Sequence, residues 1–430
     1  MRELSVWMEI KGMPVYIGKI TGRDSGDACF SYSDDYRGRS DSRPVSLSLP
    51  LEEGAFSPKR TKNYFEGLLP EGYTRKCVAQ RLRADEEDYL SILAALGKEC
   101  LGAVKILEEG VDEDVPEYRL LSPQEVEDLA REGATESATI VTKSHLSLTG
   151  ASGKVGLYYD EPDKRWYLPI GDAPSTHIVK QSHVRLNRIV ANEQLCLLTA
   201  KHLGISIPDS FILDLSGTGK KPGEKDVLFA TRRFDRVWKD SGRKLDGLPV
   251  PLRLHQEDFA QALGIAAAHK YEKGNEDYMA KIFRLLSLYS ANPLEDQFRL
   301  WDICVFNYLI GNTDNHIKNL SLLYSTDLRN IRLAPAYDIV STAVYDSSSE
   351  NMAFGIGGER NLYSLSRTSF ERAARDVGLG VRMAMRRFDT MVSGFEEALS
   401  LACGTLEAQG FEEAGRIREE IMNRGGIGKC

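Results

Sequence analysis

The sequence predicts an α+β protein: a β-rich N-terminal domain, then a mixed α/β lobe, then a mainly α-helical C-terminal lobe. Three observations carry this. The first forty residues alternate as strands do. Residues 140–236 interleave strand and helix signals. The last two hundred residues carry apolar side chains mostly at helical spacing. A chain of 430 residues has room for two or three domains. The expected spans are 1–110, 111–236 and 237–430.

The elements follow in order. LSVWMEI (4–10) and PVYIGKI (14–20) flank a short Lys-Gly-Met turn and read as a β-hairpin, and DACFSYS (27–33) adds a third strand. NYFEGLLP (63–70), YTRKCVAQRLRA (73–84) and EEDYLSILAALG (86–97) have helical spacing, with Gly97 as a C-cap. AVKILEEG (103–110) returns to strand, and the acidic run GVDEDVPE (110–117) marks a boundary. Ser122 and Glu125 form a capping box for a helix over 122–133. In the mixed lobe, THIVK (176–180), SFILDL (210–215) and DVLFATRRF (226–234) are strands, and RIVANEQLCLLTAKHLG (188–204) is a helix. Helix 296–311 places Phe298, Trp301, Val305, Tyr308 and Leu309 on one stripe and ends at Gly311. LSLLYS (320–325) and IRLAP (331–335) are the strands expected among the later helices.

Composition excludes several classes. A net charge of −8 and a pI near 5.6 argue against a dedicated nucleic-acid binder. The basic residues of 74–83 read as a solvated helix face rather than a DNA contact. Seven separate cysteines, with no Cys-x-x-Cys pair or Cys/His ligand spacing, suggest neither disulfides nor a zinc site. MRELSVWMEI lacks a signal-peptide core, and no uncharged apolar run approaches the ~18 residues of a membrane span. A cytoplasmic, soluble protein is expected.

The chemistry concentrates in GNTDNHIKN (311–319) and AYDIVS (336–341). Asp314 precedes Asn319 by five residues, and Asp338 follows nineteen residues later. Protein-kinase-type enzymes use an Asp to orient or deprotonate the attacking hydroxyl, an Asn five residues on to hold Mg²⁺, and a later Asp to hold the metals that bridge ATP phosphates. They also need a strand-borne Lys and a helix Glu that positions it, which Lys180 and Glu193 supply. His316 reads as an orienting residue beside the loop, with Lys318 near it. The layout is thus that of a bilobal, protein-kinase-like fold with nucleotide in the cleft. SLTGASGKVGLYY (147–159) is a plain hairpin turn or a phosphate loop, in which Gly150, Gly153 and the intervening Ala151 and Ser152 bring amides to phosphate and Lys154 adds charge. RRFDR (232–236) is an interlobe hinge or a charged strand end.

Together SLTGASGK, THIVK, NEQLCLLTAKHLGI, FATRRFDR, RLHQEDFAQALG, IGNTDNHIKN and LAPAYDIVS resemble the HipA family, the serine/threonine-kinase toxins of bacterial type II toxin–antitoxin pairs. The resemblance covers nearly the whole chain; LSLPL (47–51) and NYFEGLLPEG (63–72) look like the family's N-terminal accessory domain. It implies that Asp314 is the catalytic base, that Asn319 and Asp338 bind Mg²⁺, and that Lys180 contacts ATP phosphates. It implies backbone contact with adenine at Arg232 and Phe234, and autophosphorylation at Ser147 that ejects the phosphate loop. It also implies a protein substrate of translation, notably an aminoacyl-tRNA synthetase. The implied partner is a small HipB-like helix-turn-helix antitoxin, which carries the contact with operator DNA. Two departures stand out: Ser152 and Gly153 replace the common loop residues before Lys154, and Arg232 stands where the hinge is often acidic. A small-molecule phosphotransferase shares the Asp-x4-Asn logic, and an inactive kinase-like scaffold would keep the fold without turnover.

Overall fold

A computed structural model describes residues 1–108, 110, 115–132, 154–181, 186–217, 220–238, 241–274 and 276–429. Ser147, Gly150, Ala151, Ser152 and Gly153 lie outside the described residues. The chain forms two compact units, each discontinuous in sequence. One comprises Met1–Gln181, Ala230–Ala267 and Leu323–Asn330, and the other Ser182–Phe229, Ala268–Leu322 and Ile331–Cys430.

The first unit opens with strands β1 (Arg2–Ile10), β2 (Met13–Gly22) and β3 (Cys29–Tyr32). Together with β4 (Val104–Glu108) they form an antiparallel sheet in the order β3-β2-β1-β4. Lys11 and Gly12 both have positive φ (53° and 78°), the pairing a tight hairpin turn requires. Leu4, Val6 and Met8 alternate into the core. Helices α1 (Pro58–Phe65), α2 (Gly72–Leu82) and α3 (Tyr89–Leu96) follow, and Asp88 caps the last by accepting from Ser91 N at 3.2 Å. Arg75, read as part of a solvated basic face, is instead half-buried and bonds Glu66 at 3.0 Å and the carbonyl of Glu86.

A second antiparallel sheet in this unit contains β5 (Glu117–Leu120), β6 (Lys154–Asp160), β7 (Arg165–Ile170) and β8 (His177–Gln181), ordered β5-β7-β6-β8. Helix α4 (Pro123–Glu132) starts at the expected box: Glu125 N donates to Ser122 Oγ at 3.3 Å, and Ser122 N donates to Glu125 Oε2 at 2.9 Å.

The RRFDR segment corrects one alternative. A charged strand end would sit in solvent, yet Arg233, Asp235 and Arg236 are buried. Arg233 Nη1 and Arg236 Nη2 converge on Glu99 Oε1 at 3.0 and 2.6 Å, and Arg233 also forms a two-point pair with Asp235. Burial opposes the charge on Asp235, but the two guanidiniums hold its carboxyl far below the usual range. Glu99 belongs to the N-terminal segment, so this network ties that segment to 232–236. Arg232 and Phe234 fall on the other side of the alternation and are half-buried, with Arg232 3.5 Å from Glu161.

The second unit is mainly helical: α5 (Ile189–His202), α6 (Tyr278–Tyr289), α7 (Pro293–Ile310), α8 (Arg367–Asp376), α9 (Val381–Ala408) and α10 (Glu413–Arg424). Trp301 and Tyr308 of α7 meet Phe370 of α8 with ring centroids 5.8 and 5.1 Å apart, and Phe370 meets Phe388 of α9 at 4.8 Å. Burying each such ring is worth about 1.5–3 kcal/mol. Phe298, expected on the buried stripe of α7, is only half-buried, because burial deepens toward the helix C-terminus. A hairpin of Asn351–Ile356 and Glu359–Asn361 interrupts the helices and was not expected; it turns at Gly357 and Gly358, both at positive φ.

Candidate active site

The loop after α7 is fixed before any side chain is considered. Gly311 ends the helix at φ +68°, and a Cβ there would lie 2.6 Å from Ala343 Cβ. Glycine therefore meets both a left-handed backbone and a close approach. Asn312 stacks on the helix end, donating to Asn307 Oδ1 at 2.7 Å, and its own Oδ1 accepts from Asp314 N at 3.1 Å. Asn319 Nδ2 donates to the carbonyl of Asp314 at 3.1 Å, closing the loop on itself. Among residues 311–318, Asp314 alone is exposed; all the others are buried. A carboxylate held by a rigid buried loop and presented outward is suited to proton acceptance from a docked hydroxyl. His316 and Lys318 are buried in the loop, and Tyr337 Oη donates to the carbonyl of Lys318 at 3.0 Å.

Asp338 stands at φ +56°, a conformation unusual for a residue other than glycine and common where function fixes the backbone. The segment after it is clasped from two sides. Ser341 Oγ donates to the carbonyl of Ile310 at 2.6 Å, and Thr342 Oγ1 accepts from Thr313 N at 2.8 Å. From α5, Asn192 Nδ2 donates to the carbonyl of Ser341 at 2.9 Å while Asn192 Oδ1 accepts from Ser341 N at 3.1 Å. The Asp314 loop, the Asp338 segment and α5 are thereby one hydrogen-bonded construction. Glu193, beside Asn192, is buried rather than part of an exposed helix pair.

In the first unit, Lys154 on β6 and Lys180 on β8 are direct partners across the sheet. Opposite residues of an antiparallel pair share a face, so both lysine side chains leave the same side of the sheet. Two lysines in this register suit binding of phosphate oxygens.

Two residues at the site escaped the sequence reading. Asn192 has a faint signal: it is polar while Ile189, Leu195 and Cys196, about one helical turn away, are apolar. Tyr271, whose phenol hydrogen-bonds the Asp314 carboxylate, has none, since it lies 43 residues upstream.

The HipA-like C-terminal domain family matches residues 146–399, and the HipA N-terminal domain family matches residues 5–107. The Y4mE protein of Sinorhizobium fredii is 30% identical over 408 residues, covering 93% of this chain and 91% of that protein. The serine/threonine-protein kinase toxin HipA of Shewanella oneidensis is 27% identical over 349 residues, covering 79% of this chain and 75% of that protein. The fold is that of HipA in the solved Shewanella oneidensis MR-1 complex of HipA, HipB and operator DNA. The TM-score is 0.78 at 20% identity, over 98% of this chain and 96% of that one.

Proposed function

Because this chain belongs to the HipA family over both its N-terminal and C-terminal domains, we propose that it is an ATP- and Mg²⁺-dependent protein serine/threonine kinase acting as the toxin of a toxin–antitoxin pair. The observation that carries the reading is the exposed Asp314 carboxylate on an otherwise buried loop, with Asn319 and Asp338 in the order phosphoryl transfer uses.

Asp314 takes the proton of a substrate serine or threonine hydroxyl as the new oxygen–phosphorus bond forms and ADP leaves. Asn319 and Asp338 fit Mg²⁺, which prefers oxygen donors and is commonly held by one or two side chains with phosphates and waters completing its shell. Asn319 has committed Nδ2 to the Asp314 carbonyl, so its oxygen remains as the acceptor atom of the amide. When bound, the metal neutralises charge on the transferring group. Lys154 and Lys180 hold phosphate oxygens from one face of their sheet. The roles expected above for Glu193, for the backbone of Arg232 and Phe234, and for Gly150–Gly153 are retained in this proposal. Most of the rate then comes from positioning and fixed electrostatics.

The proposed partner is a HipB-like helix-turn-helix antitoxin that carries the contact with operator DNA, and a chain of net charge −8 fits that division of labour. The proposed substrate is a protein of translation, such as an aminoacyl-tRNA synthetase, with autophosphorylation at Ser147 as the regulatory step. The proposed setting is the cytoplasm; among the described residues no helix is long and apolar enough to cross a membrane.

Induced expression in a bacterial host tests the reading. Wild type should arrest growth and add new phosphoserine or phosphothreonine sites to host proteins, while Asp314→Gln should do neither. Transfer to small alcohols or aminoglycosides, with none to protein, would replace this proposal by a small-molecule phosphotransferase.

A further inference from the structure

We propose that Tyr271 is a resident occupant of the acceptor-hydroxyl position at Asp314, which a protein substrate must displace before phosphoryl transfer. The inference rests on the assignment of Asp314 above. The phenol Oη of Tyr271 donates a hydrogen bond to Asp314 Oδ1. An acceptor serine or threonine makes the same interaction, an O–H group donating to the catalytic carboxylate. Phenol and substrate hydroxyl therefore compete for one place.

The surroundings show how the occupant is held and how it leaves. On one side of Lys270 and Tyr271, the carbonyl of His269 accepts from Tyr278 Oη at 2.8 Å. On the other, Glu272 is buried: its N donates to the carbonyl of Ala353 at 2.9 Å, its carbonyl accepts from Arg360 Nη1 at 2.6 Å, and its carboxylate accepts from Tyr278 N at 3.0 Å. The backbone on both flanks is fixed. The Tyr271 side chain is not a core residue, being 39% exposed. Its ring packs edge-on against His316, with centroids 5.2 Å apart and planes at 83°, and Lys270 Nζ lies 5.5 Å from its centroid. Displacement thus needs rotation of one exposed side chain, with no rearrangement of the segment that bears it. A hydrogen bond to a charged group, made before substrate arrives and lost on its entry, weakens acceptor binding about tenfold or more. It leaves the chemical step itself unchanged, because the phenol is gone by then.

Tyr271→Phe removes the competing oxygen and keeps the ring. The probes are a degenerate serine-containing peptide pool with ATP and Mg²⁺ and, by calorimetry on nucleotide-free protein, the best peptide of that pool. The expected result is a fall of about tenfold in both the peptide KM and the calorimetric Kd, with kcat and the KM for ATP unchanged. Hydrolysis of ATP without peptide should rise as water reaches Asp314. A fall in kcat at constant KM would make Tyr271 a positioning residue for the carboxylate and overturn the proposal. Equal peptide binding by wild type and variant would overturn it as well. Full transfer by Asp314→Gln would instead remove the catalytic assignment, and with it the premise of this inference, whatever Tyr271→Phe did.

Discussion

Asn192→Ala is the most searching perturbation of the site, because it touches no reacting atom. Asn192 is fully buried, and its amide serves both backbone groups of Ser341, a residue that is itself fully buried. Alanine leaves a buried N–H and a buried C=O without those partners. Each such group costs about 1–3 kcal/mol. Water entering the vacated space recovers part, which puts the loss at about 2–4 kcal/mol. That is a large share of the 5–15 kcal/mol typical of a folded domain. The opening should be local first, since Ser341 lies three residues after Asp338. Hydrogen–deuterium exchange over 336–345 should accelerate markedly while α9 stays protected. Turnover should fall on the order of a hundredfold, the scale expected when a positioned group drifts by about 1 Å. Asn192→Asp keeps the acceptor for Ser341 N–H but sets a buried carboxylate oxygen against the Ser341 carbonyl, so it should not restore wild-type exchange or turnover. Wild-type exchange and wild-type turnover in Asn192→Ala would refute the reasoning that α5 holds the Asp338 segment.

Other consequences follow from the same geometry. Glu99→Ala strips the shared partner from Arg233 and Arg236, and leaving buried guanidiniums short of an anion should cost about 3–5 kcal/mol in urea denaturation. Gly311→Ala forces a side chain into a left-handed backbone and against Ala343, and should lower stability by about 2 kcal/mol or more with a parallel loss of activity. Glu257 is buried, and burial pushes its carboxyl up to about 7 against the bonds from Ser46 Oγ, Tyr324 Oη and Leu47 N. The folded state therefore binds a proton more tightly than the unfolded state. Its contribution to stability is complete below the ordinary glutamate range and is lost as pH rises through about 7. Glu257→Gln keeps an oxygen for Leu47 and Tyr324 while Ser46 turns to accept, so its stability relative to wild type should grow between about pH 4.5 and 7 and then level off, by a few kcal/mol at most. A difference that is flat across that window would contradict this.

Much of this was legible because local rules and tertiary demands agreed. The first hairpin, the Ser122–Glu125 box and the Gly311 helix end each follow from short-range sequence, and each is present. The Asp314 loop was legible for the same reason: its polar residues follow an apolar helix that fixes them. What escaped was set by contacts distant in sequence. Arg233 and Arg236 look like surface charges until Glu99, over 130 residues earlier, is seen to hold them. Tyr271 reads as an ordinary aromatic until the fold sets it on Asp314. The hairpin 351–361 escaped because Gly357 and Gly358 divide two short strands with weak alternation.

The most direct test of the account is phosphoryl transfer by the purified, phosphatase-treated chain with γ-labelled ATP and Mg²⁺, beside Asp314→Gln, with the label mapped by mass spectrometry. Asp314 is exposed, so the variant should fold as wild type does. The account predicts label on Ser147 and on an acceptor protein for wild type, and none for the variant. Equal labelling by a well-folded Asp314→Gln would contradict it.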